Sequence, residues 1–207
     1  SVKDAFLTAL RARIARAYGT GEASPHLARI VSPAHATRLA DLISDALDKG
    51  ATATVAGGQS GQSIGPHLIE GTTPDMRLSR EEIFGPILPV LTYDGIDSVI
   101  DRINAGDKPL ALYIFDRNRA RVEEITRRTT SGAVGINLTL LHYSHPNLPF
   151  GGVNTSGIGA AHGEAGFRAF SHERAVLRNR FLLLPLVFAP YGPRAMRLIG
   201  LIKRVFG

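Results

Sequence analysis

The sequence has no cysteine. This excludes disulfides, thiolate metal sites and a cysteine nucleophile from within its 207 residues. No apolar run approaches the ~20 residues that a membrane-spanning helix needs. No signal-peptide pattern opens the chain, which begins with a charged amphipathic stretch, so a cytoplasmic location is expected. Metal-binding frames are missing too. Of the histidines at 142, 145, 162 and 172 only His142 and His145 are close, and no HExxH spacing accompanies them, so no metal is expected. Repeats, low-complexity tracts and nucleic-acid motifs are likewise absent. The net charge is +6; the basic residues are mostly arginines spread along helices, as in RARIAR at Arg11–Arg16, and part of the excess sits in the last thirty residues. Such a pattern reads as solvated basic surface, and no nucleic-acid partner is expected.

What is present is a globular composition, 44% apolar and 20% charged, enough for one sizeable core. Val2, Phe6, Leu10, Ile14 and Tyr18 recur four apart and predict an amphipathic helix over 2–18. Ser32-Pro33 is a cap followed by a first-turn proline, and Gly50 ends the helix it starts, with Ala36, Leu39, Ile43 and Leu47 as its buried stripe. ATATVAGG and GPHLIEG then read as short extended pieces. Strands are predicted at Ile87–Tyr93, Leu110–Phe115 and Gly132–Asn137, with helices at Ile96–Asn104 and Arg117–Arg128. This alternation predicts a layered α/β domain with largely parallel strands.

The alternation stops after Asn137. Residues 138–166 are rich in Gly, Ser, Asn and His, and read as a functional loop. GIGAAHG (Gly157–Gly163) is not a dinucleotide fingerprint, because its third glycine comes one residue late and no strand leads into it. It reads as a turn-rich loop where backbone passes close to something. Ser144 and Ser171 each adjoin a histidine, yet neither sits on a GxSxG elbow, so neither is read as a nucleophile. FRAFSHERAVLRNR is expected to finish as an extended segment. The tail, FLLLPLVFAPYGPRAMRLIGLIKRVFG, closes as a basic amphipathic helix. An interfacial membrane helix, a helix packed on the body and a subunit contact all fit it, and membrane attachment is not the preferred one.

One stretch, REEIFGPILPV (Arg80–Val90), sets two carboxylates before an Ile-Phe pair and a Gly-Pro turn. A carboxylate can accept two hydrogen bonds from vicinal hydroxyls, as acidic residues do with a ribose. A phenylalanine two residues on can press its ring against a flat cofactor. A capped turn with an incidental phenylalanine explains the same residues equally well.

REEIFGPILPV, KPLALYIFDRN, SGAVGIN and LPFGGVNTSGIGAAHGEAGFRAFSHERAV together resemble, in order, the C-terminal half of the aldehyde dehydrogenase superfamily. The likeness runs to about Leu177 and is greatest to the class 3 branch, which includes bacterial coniferyl aldehyde dehydrogenases. It implies an α/β fold: part of a three-layer α/β/α catalytic domain, incomplete without upstream strands. Residues 1–170 would be the catalytic-domain part, and 171–207 an oligomerisation strand (about His172–Arg180) with the tail. The implied activity is NAD(P)-dependent oxidation of an aldehyde, coniferyl or another aryl aldehyde, to a carboxylic acid. By the resemblance, Glu82 would hold the nicotinamide ribose and Phe84 would contact the nicotinamide end, with NAD or NADP as the cofactor. Phe150 would line the aldehyde tunnel, with Tyr143, Ser144 and His162 as further wall residues. The family's nucleophile is a cysteine, so the resemblance also implies a fragment, inactive alone, whose nucleophile and general base lie upstream. A stand-alone pseudoenzyme or assembly module is the alternative. A second copy, forming a dimer, is the expected partner.

Overall fold

The computed structural model describes residues 2–19, 21–55, 57–178, 180, 188–189 and 191–206. Residue 179 of the expected extended segment and the apolar run at 181–187 lie outside the described residues. The chain forms two compact units, Ser1–Arg102 and Ile103–Gly207.

In the first unit, helix α1 (Lys3–Tyr18) buries Leu7 and half-buries Leu10, Ile14 and Tyr18. Val2 and Phe6 stay exposed, which corrects the predicted stripe. A repeat of four residues advances about 400° per step and drifts ~40° each time, so five members cannot share one face. Helix α2 (Pro33–Asp48) starts as predicted: Ser32 Oγ accepts a hydrogen bond from the His35 N–H at 3.1 Å, and Pro33 takes the first position. Its covered face is Ala36, Leu39, Leu42 and Ala46, while Ile43 is partly buried and Leu47 is exposed. The expected stripe was thus right in its first half and rotated by one residue in its second.

Strands β1 (Thr52–Val55), β4 (His67–Glu70) and β5 (Ile87–Val90) form a sheet in the order β1-β4-β5. Between the first two lies a small hairpin of β2 (Gln59–Ser60) and β3 (Ser63–Ile64), which the sequence reading missed. Two-residue strands carry too few apolar residues to show a period. β1 runs antiparallel to β4, with an irregularity between Ala53 and Val55, and β4 runs parallel to β5. Leu39, Leu42, Ile64, Ile69 and Met76 form the fully buried centre of the core beneath this sheet and α2. Full burial of each such side chain is worth roughly 1.5–3 kcal/mol. Lys3 of α1 pairs with Glu70 at 2.9 Å and ties the first helix to the sheet.

Helix α3 (Ile96–Ala105) leads into the second unit, where β6 (Ala111–Ile114), α4 (Arg119–Arg128) and β7 (Ala133–Ile136) make a βαβ unit with parallel strands. Helix α5 (Gly163–Ala169) and helix α6 (Pro193–Phe206) complete the described elements. α5 takes the first residues of the segment expected to be extended. The class is mixed α/β, as expected, but the strands are not largely parallel. Among the described residues two of the four strand pairings are antiparallel, because β1–β4 and β2–β3 are joined by short reversals that leave no room for a crossover helix.

The end of β6 is held to the end of β7 by reciprocal bonds: the Asp116 N–H donates to Asn137 Oδ1 and Asn137 Nδ2 donates to the Asp116 carbonyl, both at 3.0 Å. Arg121 beside Asp116, with the Asn118 N–H, holds that carboxyl down at about 2. A carboxylate so depressed supports the fold above its unfolded value of about 3.9 and loses that support as pH falls towards 2. Acid unfolding of Asp116→Asn should therefore lose part of its pH dependence between about 4 and 2, followed by circular dichroism. A wild-type-like acid profile would count against the pairing.

Candidate functional site

The REEIFGP stretch enters β5 through a turn that α2 holds from beneath. A short 3-10 turn (Arg77–Ser79) buries Leu78 and presents the two carboxylates. Their fates differ. Glu81 is engaged by Arg77, at 2.6 and 3.2 Å, and by Arg38 at 3.5 Å. These guanidiniums, Arg77 foremost, keep the Glu81 carboxyl below the usual carboxylate range. Glu82 is exposed, and its carboxylate has no hydrogen-bond or ion-pair partner among the described residues.

Three successive carbonyls of the turn are bonded by two side chains one helical turn apart. Arg38 donates to the Glu82 carbonyl at 3.0 Å and to the Ile83 carbonyl at 2.6 Å, and His35 Nε2 meets the Phe84 carbonyl at 2.9 Å. Phe84 has φ of 49°, a left-handed conformation that a bulky residue adopts only when its surroundings impose it. Its ring is 75% exposed, with the His35 ring edge-on at 6.0 Å. Gly85 follows because nothing larger fits: a Cβ there would lie 2.6 Å from Cδ1 of the fully buried Leu39. Beside Phe84 opens a pocket of about 420 Å³, lined also by Tyr18, His26, Arg29 and His35. The result is a free carboxylate and a presented aromatic face on a stiff turn. Sequence reasoning missed His35 and Arg38, whose signal was only that both fall on the N-terminal turns of a well-capped helix.

In the second unit the loop after β7 gathers aromatic rings. Tyr113 on β6 pairs in register with Gly135 on β7, where a Cβ would sit 2.8 Å from the Tyr113 ring. The ring so placed meets His142 edge-on at 5.7 Å. Phe150 and Ala161 bond each other's backbone at 3.1 and 2.7 Å, which brings Phe150 and the neighbouring His162 into a stack 5.9 Å apart. Tyr143 packs edge-on against Phe150 at 4.9 Å and against His162 at 5.5 Å. Gly151 and Gly152 let the loop fold back on its own backbone, since a Cβ at either would strike the Gly159 or Ser156 carbonyl, and this brings the GIGAAHG stretch into the close passage expected of it. Tyr143, Phe150 and His162 are thus brought together. Ser144 is exposed beside Tyr143 and belongs to no ring contact.

Both ring nitrogens of His142 and Nδ1 of His162 are buried without a hydrogen-bond partner among the described residues. A buried imidazole nitrogen left so is available to a polar group entering the cluster. Sequence reasoning weighed His142 only as a metal ligand and so missed it and Tyr113; their meeting depends on β6–β7 pairing. No group of three or more His, Cys, Asp or Glu able to hold a metal occurs among the described residues.

The first unit thus offers one unengaged carboxylate and one bared ring on a turn, and the second unit an aromatic cluster. A model of the aldehyde dehydrogenase family matches residues 1–176, and the chain belongs to that family. Its relatives include family 3 and coniferyl aldehyde dehydrogenases. Over 212 residues it is 40% identical to a probable coniferyl aldehyde dehydrogenase of Caulobacter vibrioides, covering 97% of this chain and 44% of that protein. It is 38% identical over 206 residues to aldehyde dehydrogenase family 3 member B2 of Mus musculus, covering 96% and 42%. Among solved structures, substrate-bound Staphylococcus aureus AldH superposes with a TM-score of 0.79 at 33% identity, over 97% of this chain and 44% of that one. Betaine aldehyde dehydrogenase of Staphylococcus aureus, solved with NAD+, gives 0.71 at 25% identity, over 82% and 36%. The mixed α/β fold matches that of these enzymes. The chain spans less than half the length of each of these relatives.

Proposed function

We propose that this chain contributes the cofactor clasp and substrate wall of an NAD(P)-dependent aldehyde dehydrogenase, which oxidises an aldehyde to a carboxylic acid. Glu82 carries the proposal: it is the carboxylate that the turn leaves unengaged while Glu81 is consumed in ion pairs. An exposed carboxylate on a fixed backbone can accept two hydrogen bonds from the ribose hydroxyls of NAD(P). Phe84, held bare at a left-handed backbone, offers its face to the nicotinamide end. NAD(P)+ when bound supplies the hydride acceptor. Orientation is what these residues add: a ribose held at Glu82 and a ring bounded by Phe84 restrict how the cofactor meets the aldehyde.

Phe150, Tyr143 and His162, with His142, would form the wall for the aldehyde's apolar part. Ser144 would stand at its exposed margin. The unpartnered imidazole nitrogens suit an aryl aldehyde with a polar ring substituent, the class to which coniferyl aldehyde belongs. No cysteine lies in these residues, so a thiolate nucleophile of the family's kind is supplied from outside the 207 residues.

Two measurements test this. The 207-residue chain alone should form no NAD(P)H from aryl or alkyl aldehydes, and turnover by it would sink that part. In the full-length protein, Glu82→Gln should raise KM for NAD(P) about tenfold with a smaller change for the aldehyde. An unchanged cofactor KM would remove Glu82 from the site.

A further inference from the structure

The basic excess of this protein is confined to one end. Residues 174–207 hold seven of the 24 lysines and arginines and none of the 18 acidic residues, so residues 1–173 carry 17 bases against 18 acids. The body is near neutral, and every charged side chain of the C-terminal segment is basic.

Helix α6 concentrates this charge in Arg194, Arg197, Lys203 and Arg204. One side of the helix is covered, with Ala195 buried and Leu198 and Ile199 half-buried. Leu201 and Val205, one turn apart, are 58% and 64% exposed. Helical spacing puts Arg194 at the head of this strip and sets Arg197 and Arg204 together along one flank of it. The strip is therefore an apolar ridge with guanidiniums at its head and along one flank, turned to solvent.

We propose that α6 seats on an anionic lipid surface, with Leu201 and Val205 entering the headgroup–acyl boundary and the basic rim meeting the lipid headgroups. Ridge and rim are what an interfacial helix uses, since long basic side chains can lie along the boundary while their charged ends stay in water. Nucleic acid would use the charge and leave the ridge without a role. A second copy would use the ridge but bring two cationic rims together, which like-charge repulsion opposes. No helix among the described residues is long and apolar enough to cross a membrane, so the contact is one of lying on the surface.

This does not depend on the aldehyde dehydrogenase reading and is tested without it. The purified chain is sedimented with phosphatidylcholine vesicles, with and without phosphatidylserine. Binding to the anionic vesicles should be about tenfold tighter and should weaken as salt is raised. Leu201→Asp with Val205→Asp, and separately Arg197→Glu with Arg204→Glu, should each bring binding down to the neutral-vesicle level. Truncation after Gly192 should do the same with the circular dichroism of the body retained, so a failure of the variants to fold cannot decide the matter. Equal binding to both vesicle types, or full binding by the truncated chain, overturns the proposal. So does a ridge variant that changes the oligomeric state and leaves vesicle binding unmoved, because the ridge is then a subunit contact.

Discussion

Leu39→Ala should lower the unfolding free energy of this chain by about 3 kcal/mol, read from urea or guanidinium denaturation at unchanged m-value. Leu39 is fully exposed to neighbours and not at all to water, at the centre of the core under β1, β4 and β5. Truncation removes its transfer free energy and leaves a cavity that a close-packed interior closes only in part. The position has a second role, because its methyls fill the space a Cβ on Gly85 would need. Gly85→Ala alone should cost about 1–3 kcal/mol through overpacking. In the Leu39→Ala background that cost should shrink, since the cavity now lies where the new methyl goes. Strict additivity of the two substitutions would mean that the turn and the core are independent.

Arg38→Ala should have the second largest effect, and a different signature. The guanidinium donates to two successive carbonyls and faces Glu81, and its loss leaves both oxygens and the strained Phe84 backbone without that support. Roughly 2 kcal/mol of local stability should go, visible as faster amide exchange at Ile87, whose N–H donates to the Gly85 carbonyl. Lysine should not rescue it, because a point ammonium cannot span two carbonyls as the planar fork does. In the full-length protein the affinity for NAD(P) should fall about tenfold, with the exchange defect accompanying it. Glu82→Gln, by contrast, should weaken the cofactor and leave amide exchange alone. Arg38→Ala with protected amides and unchanged affinity would show that α2 does not hold the turn.

The sequence showed these features unevenly, for physical reasons. Ser32-Pro33 and the βαβ unit were legible because caps and 3.6-residue periods are local signals. The burial of α1 was misjudged at Val2 and Phe6 because a spacing of four looks like a stripe on paper and spirals on a real helix. Glu82 and Phe84 could be proposed from residue type and company. What separates Glu82 from Glu81 could not, since Arg77 and Arg38 make the distinction, and Arg38 lies more than forty residues away in sequence. The ring cluster around Phe150 likewise depends on one backbone bridge to Ala161 and on the pairing of Tyr113 with Gly135, both long-range events.

At positions 82 and 83 the hold that α2 takes is on main-chain oxygens, while at Phe84 the His35 ring also lies edge-on to the phenyl ring. Side-chain identity at position 82 is therefore uncoupled from the grip and open to variation while the scaffold stays rigid, whereas Ile83 packs against the core and is not. Position 84 is less forgiving. Its backbone admits glycine or asparagine readily and β-branched residues poorly, so a library there should be narrow by design.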